Sequence, residues 1–109
     1  MAKTFKLKTK ANVGVTTIGI YTAPAATTTV VIGITLANTS GSGVNVGVGI
    51  TRAGTTEDVK LLKNAPIPQG SSLEFMGGNK VVLEATDTVT VDSDTNNSVD
   101  ASLTIMEIT

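Results

Sequence analysis

From Ala11 to Thr51 the chain contains no Asp, Glu, Lys or Arg, although charged residues make up 16% of the whole. Thr, Gly, Asn and Ser interrupt its Val and Ile too often for a membrane helix, which needs ~20 predominantly apolar residues. The β-branched residues instead suit the pleated surface of a sheet. Strands without charge have little to keep their edges soluble, so such a run is covered by its own domain or by a neighbouring copy. Contact, not chemistry, is the work this pattern points to.

The charges that do occur are sorted along the chain. Lys3, Lys6, Lys8 and Lys10 make residues 1–10 a +4 segment with no acid. Arg52, Lys60, Lys63 and Lys80 stand against all nine acids in residues 52–109, so that part is 4 − 9 = −5 and the total is −1. A basic arm on an acidic body is expected. Four lysines with no arginine and one Phe make a poor nucleic-acid footprint. Acidic protein surface is the expected counterpart.

A chain of 109 residues accommodates one domain with a modest core. Aromatics are 3% and Trp is absent, so the core must come from Val, Ile, Leu and Ala, and oligomerisation would help stabilise it. Cysteine is absent, which removes disulfides and thiolate metal sites. No apolar stretch follows the first lysines, so no secretory signal is expected, and the chain reads as made in a cytoplasm.

Strands are expected nearly throughout. Residues 3–10 alternate Phe5 and Leu7 against Lys6, Lys8 and Lys10, a period of 2. Residues 13–22 follow, closed by an Ala23-Pro24-Ala25 turn, and then Thr27–Asn38. After an Asn/Ser/Gly loop, Val44–Arg52 places Val44, Val46, Val48 and Ile50 on one face and Asn45, Gly47, Gly49 and Thr51 on the other. Glycines on an outer strand face let another backbone come close, so Gly47 and Gly49 are candidates for partner contact. Glu57–Lys63 reads as a strand, Pro66–Gly70 as a turn or polyproline link. Ser72–Met76 and Lys80–Glu84 read as a hairpin around Gly77-Gly78-Asn79. Thr88–Asp92 and Val99–Ile108 complete the set. The expected fold is all-β: a single antiparallel β-sandwich or jelly roll of about eight strands with an extended N-terminal arm. The expected division is a basic arm at 1–10 and a sandwich at 11–109.

Candidate chemistry is sparse. Without His or Cys, the commonest general base, thiol nucleophile and zinc ligands are missing. The Gly-rich run at 41–49 lacks the Lys-Ser/Thr of a phosphate loop. Glu84 and Asp87 read as solvated carboxylates. Neither an enzyme nor a cofactor is expected. Asp92, Asp94, Asn96, Ser98 and Asp100 place side-chain oxygens at alternate positions, as a calcium loop does. The turn-forming Gly is replaced by Asn97 and the bidentate Glu by Leu103, and both flanks read as strands, so these are calcium candidates only by spacing. A solvated hairpin loop is the plainer reading.

Several C-terminal segments carry a family likeness: Pro66-Ile67-Pro68-Gln69-Gly70-Ser71-Ser72-Leu73, Asn79-Lys80-Val81-Val82-Leu83-Glu84, Asp87-Thr88-Val89-Thr90-Val91 and Val99–Ile108. With Tyr21-Thr22-Ala23-Pro24-Ala25 ahead of them, they resemble small virion structural proteins of tailed phages, especially of the cyanophage type. The resemblance implies a β-sandwich component of a virion assembled in a host cytoplasm. Capsid decoration (cement) is the first expectation, and a tail, neck or baseplate part is its rival. A stand-alone module using the Asp92–Asp100 loop is the third. The implied partners are the major capsid protein or other virion subunits and further copies of the chain, a trimer being one option. Neither nucleic acid nor membrane is expected as a partner. Lys3, Phe5, Lys6, Leu7, Lys8 and Lys10 are the arm residues expected to make the contact, with Gly47 and Gly49 on the sandwich.

Overall fold

A computed structural model describes residues 2–75 and 80–109. Among these residues nine strands form in chain order: β1 (Lys3–Val13), β2 (Ile18–Thr22), β3 (Thr28–Asn38), β4 (Val44–Arg52), β5 (Glu57–Ile67), β6 (Ser72–Phe75), β7 (Val81–Leu83), β8 (Thr88–Ser93) and β9 (Val99–Ile108). The larger sheet has the order β1-β9-β3, with β6 and β7 both against the far edge of β3; the smaller sheet has the order β2-β8-β4-β5. All pairings are antiparallel. β6 pairs with Ile34–Ala37 and β7 with Thr29–Val31, so the two lie end to end as one interrupted strand. Counted that way there are eight strands, and the chain crosses between sheets as a jelly roll does.

Four boundaries differ from the expectation. β1 runs on to Val13, and Gly14–Thr17 turns the chain before β2 begins at Ile18, so residues 13–22 are not one strand. β5 continues through Pro66 to Ile67. Among the described residues it pairs with β4 alone, as an edge strand does, and such a strand tolerates a proline that donates no hydrogen bond. β6 and β7 do not pair with each other as a hairpin would; the Gly77-Gly78-Asn79 turn expected between them lies outside the described residues. The basic segment 1–10, expected as an arm, lies along β9 as most of β1, in unbroken register from Lys3↔Ile108 to Lys10↔Ala101.

The core between the sheets is aliphatic, as a chain poor in aromatics requires. Val31, Ile34, Leu36, Leu83, Leu103 and Ile105 from the larger sheet meet Val46, Val48, Ile67, Val89 and Val91 from the smaller. Alternation places these on the inner faces and decides what is left outside.

Candidate interaction surfaces

β1 contributes only Val13 to the core. Directly opposed residues of two strands share a face. Lys6, Lys8 and Lys10 oppose Ile105, Leu103 and Ala101, so the lysines lie on the inward face; Phe5 opposes Met106 and Leu7 opposes Thr104 on the outward face. Yet Lys6 and Lys10 are exposed and Lys8 half-buried. Their aliphatic stems follow the edge while the ammonium groups reach water. Inward-pointing lysines on an edge strand also discourage uncontrolled edge pairing.

Beneath β1 sits a polar cluster. The Tyr21 hydroxyl donates to Glu107 Oε2 at 2.6 Å, and Thr29 Oγ1 lies 2.8 Å from the same hydroxyl. Lys6 Nζ closes on Glu107 Oε1 at 2.8 Å. Tyr21 and Glu107 are both buried. Burial first, and the bond to Glu107 second, push the Tyr21 phenol up to about 12. The Lys6 ammonium, followed by the Tyr21 hydroxyl, holds the Glu107 carboxyl below its ordinary range against the opposing effect of burial. Tyr21 is 86 residues from Glu107, and a period-2 reading placed neither in a cluster.

Several other carboxylates bond within the chain. Asp87 was expected to be solvated, but it is buried, accepting from the Glu84 N–H at 3.0 Å and facing Arg52 Nε at 2.9 Å. The Nε–H points off the line to Asp87, so that contact is electrostatic and not a hydrogen bond. Arg52 also pairs with Glu84 through Nη2. In the loop read for calcium, Asp92 Oδ2 accepts from Thr17 Oγ1 at 2.8 Å, Asp94 Oδ1 from the Asn45 N–H at 3.1 Å and Asp100 Oδ1 from the Asn12 N–H at 3.0 Å. Ser98 is buried against Ser93 Oγ at 2.6 Å, and Asn97 adopts a left-handed φ of 50°. Each carboxylate thus holds a different part of the chain. Among the described residues no three Asp or Glu side chains gather into a metal-sized cluster.

Gly47 and Gly49 are buried in the centre of the smaller sheet, and the close approach they allow is intramolecular. A Cβ on Gly47 would lie 2.6 Å from Asp92 Oδ1; one on Gly49 would lie 2.8 Å from the Val59 carbonyl oxygen. The Leu62 carbonyl oxygen of β5 would also lie 3.3 Å from a Cβ on Gly47, and the β4–β5 register shifts beside both glycines. The smaller sheet's own strands therefore occupy the space into which a neighbouring copy was expected to come.

The uncovered apolar surface is on the larger sheet instead. Phe5, Met106, Val30 and Val82 stand in one row across β1, β9, β3 and β7 on its outward face. Phe5 is 70% exposed, Leu7 65% and Val82 58%. Val30, Val82 and Met106 were not singled out from the sequence. The available signal was consecutive apolar residues, Val30-Val31-Ile32, Val81-Val82-Leu83 and Ile105-Met106, which put apolar side chains on both faces of a sheet.

No protein-family model matches the chain, and no curated protein matches it in sequence. Solved structures do match. A protein of Bacillus endospore appendages, described as a family of disulfide-linked pili, aligns with a TM-score of 0.57 at 17% identity, over 99% of this chain and 87% of that one. A chain of the infectious bursal disease virus particle aligns at 0.59 and 13% identity, over 96% of this chain and 30% of that one. The subviral particle of the same virus gives 0.59 and 12% identity, over 96% and 32%. The chain thus spans about a third of the length of those viral chains. These likenesses show a shared β-sandwich fold. Unlike a disulfide-linked pilus subunit, this chain has no cysteine.

Proposed function

We propose that the chain is a non-enzymatic structural subunit of a virion and, within that class, a capsid decoration (cement) protein. The observation that carries this is β1: a basic edge strand, exposed on both faces, on a jelly roll similar over 96% of its length to part of a viral particle chain. The free edge of β1 offers main-chain donors and acceptors to a strand of another subunit. Lys3, Lys6, Lys8 and Lys10 would meet acidic shell surface beside it, an attraction weakened by salt. The major capsid protein is the proposed partner, and further copies of the chain complete the contacts.

Quantifying the protein in purified particles tests this directly. Decoration requires a copy number near that of the major capsid protein, and removal of residues 2–10 should lower the temperature at which particles release their contents. Absence from particles would end the virion reading. A second reading, a tail, neck or baseplate part, draws on the likeness to an appendage protein. It requires only a few to tens of copies per particle.

A further inference from the structure

We infer that the outward face of the larger sheet is a self-association surface, on which a second copy packs face to face about a twofold axis parallel to the strands. This deepens the particle reading by naming where copies meet. In an antiparallel sheet with one face on the core, the other face is ordinarily polar. Here that face carries Phe5, Leu7, Val30, Val82, Met106 and Ile108, and the charged residues of its paired strands, Lys3, Glu74 and Asp100, lie only at its margins. A charge-free centre offers no electrostatic handle for selecting an unrelated partner.

The area suits a second copy. The described face is the 32 residues of β1, β9 and β3 flanked by the seven of β6 and β7, at ~4.8 Å spacing and ~3.4 Å per residue, or about 640 Å². A standard interface buries ~800 Å² on each partner. The side chains also match under that axis. With the twofold between β9 and β3, Phe5 of one copy faces Val82 of the other and Met106 faces Val30, so large side chains meet smaller ones across the whole row. At the other end Ser102 faces Thr35, while Glu74 faces Thr9 and Asp100 faces Ala37. No like charges oppose each other.

Sedimentation equilibrium of the purified chain tests the proposal. Wild type should self-associate, and Val82→Lys and Met106→Lys should each weaken the association about 100-fold or more, because an unpaired ammonium would be buried in apolar contact. Val82 is mostly exposed, so Val82→Lys should leave the thermal unfolding of the monomer unchanged. Thr22→Lys, on the smaller sheet, should leave association unchanged. Because the chain lacks cysteine, single cysteines report geometry cleanly. Facing sheets lie ~10 Å apart, so a bismaleimide of about that span should join Phe5→Cys to Val82→Cys when the two variants are mixed. Two Phe5→Cys copies should not be joined. A wild type that stays monomeric at several hundred micromolar, association indifferent to both lysine variants, or cross-linking of Phe5→Cys to itself would each overturn the proposal. None of these results depends on whether the protein is found in particles.

Discussion

The outward faces of the two sheets are built on opposite plans. On the smaller sheet, hydroxyls and carboxylates bond to one another: Thr17 to Asp92, Thr22 to Thr88 at 2.9 Å and Thr51 to Asp58 at 2.9 Å. Gly47 and Gly49 are filled in by the chain's own β5 and β8. On the larger sheet the same position in the architecture is a row of apolar side chains, with Phe5 and Val82 more than half exposed among the described residues. A face that satisfies itself is finished at the level of the monomer, whereas a face of unopposed Phe, Met and Val leaves ~25 cal/mol per Å² of burial still to be gained. The difference is why the self-association proposed above is placed on the larger sheet and not at the glycines.

The largest effect should separate the two sides of a single strand. Leu103→Ala, on the core side of β9, should cost about 2–5 kcal/mol in urea unfolding. Met106→Ala, on its outward side, should cost under about 1 kcal/mol in the dilute monomer. Equal losses would mean that the outward face is already packed.

Next comes a pair of glycines, one in each sheet. Gly49→Ala sets a Cβ 2.8 Å from a backbone carbonyl, which cannot swing away, and should cost about 1–3 kcal/mol. Gly33 in β3 has nothing within 4 Å of a Cβ, so Gly33→Ala should be close to neutral. Denaturation midpoints compare the two directly. A tolerant Gly49 would restore that face as a docking candidate.

The Tyr21–Glu107–Lys6 cluster predicts a pH signature. The folded-state pKa of Tyr21 is raised, from 10.0 to about 12, so its contribution is complete below pH 10 and is lost as pH rises between these values. The Glu107 value is lowered, so its contribution is present above the ordinary carboxylate range and is lost as pH falls through the folded value. Tyr21→Phe should cost about 1–2 kcal/mol at neutral pH and remove much of the alkaline loss. Melting temperatures across pH 8–12 check both. The smallest effect is expected on the self-satisfied face, where Thr22→Val should change stability by under about 0.5 kcal/mol.

How much was legible follows from what period 2 can carry. Val44, Val46, Val48 and Ile50 were read as one face of a strand, and all four are in the core. Phe5 and Leu7 were read opposite the lysines, and so they lie. Alternation does not say which face turns inward. The lysines of β1 take the inward side, opposite Ile105, Leu103 and Ala101, a fact of cross-strand register. Pro66 looked like a strand's end because its missing N–H would break a ladder; on an edge strand that donor has no partner to lose. Asp87 looked solvated because Arg52, from another strand, is invisible at a distance of 35 residues in sequence.

By itself the sequence determined the class of the molecule. A long charge-free, β-branched run between a basic segment and an acidic half dictated strands and an aliphatic core, since these follow from composition and local periodicity. Only the tertiary structure decided that Val30, Val82 and Met106, far apart in the chain, stand with Phe5 in a single row. It also decided that Gly47 and Gly49 are enclosed by their own sheet. Cross-strand register sets both, and register is fixed by how two sheets share one core.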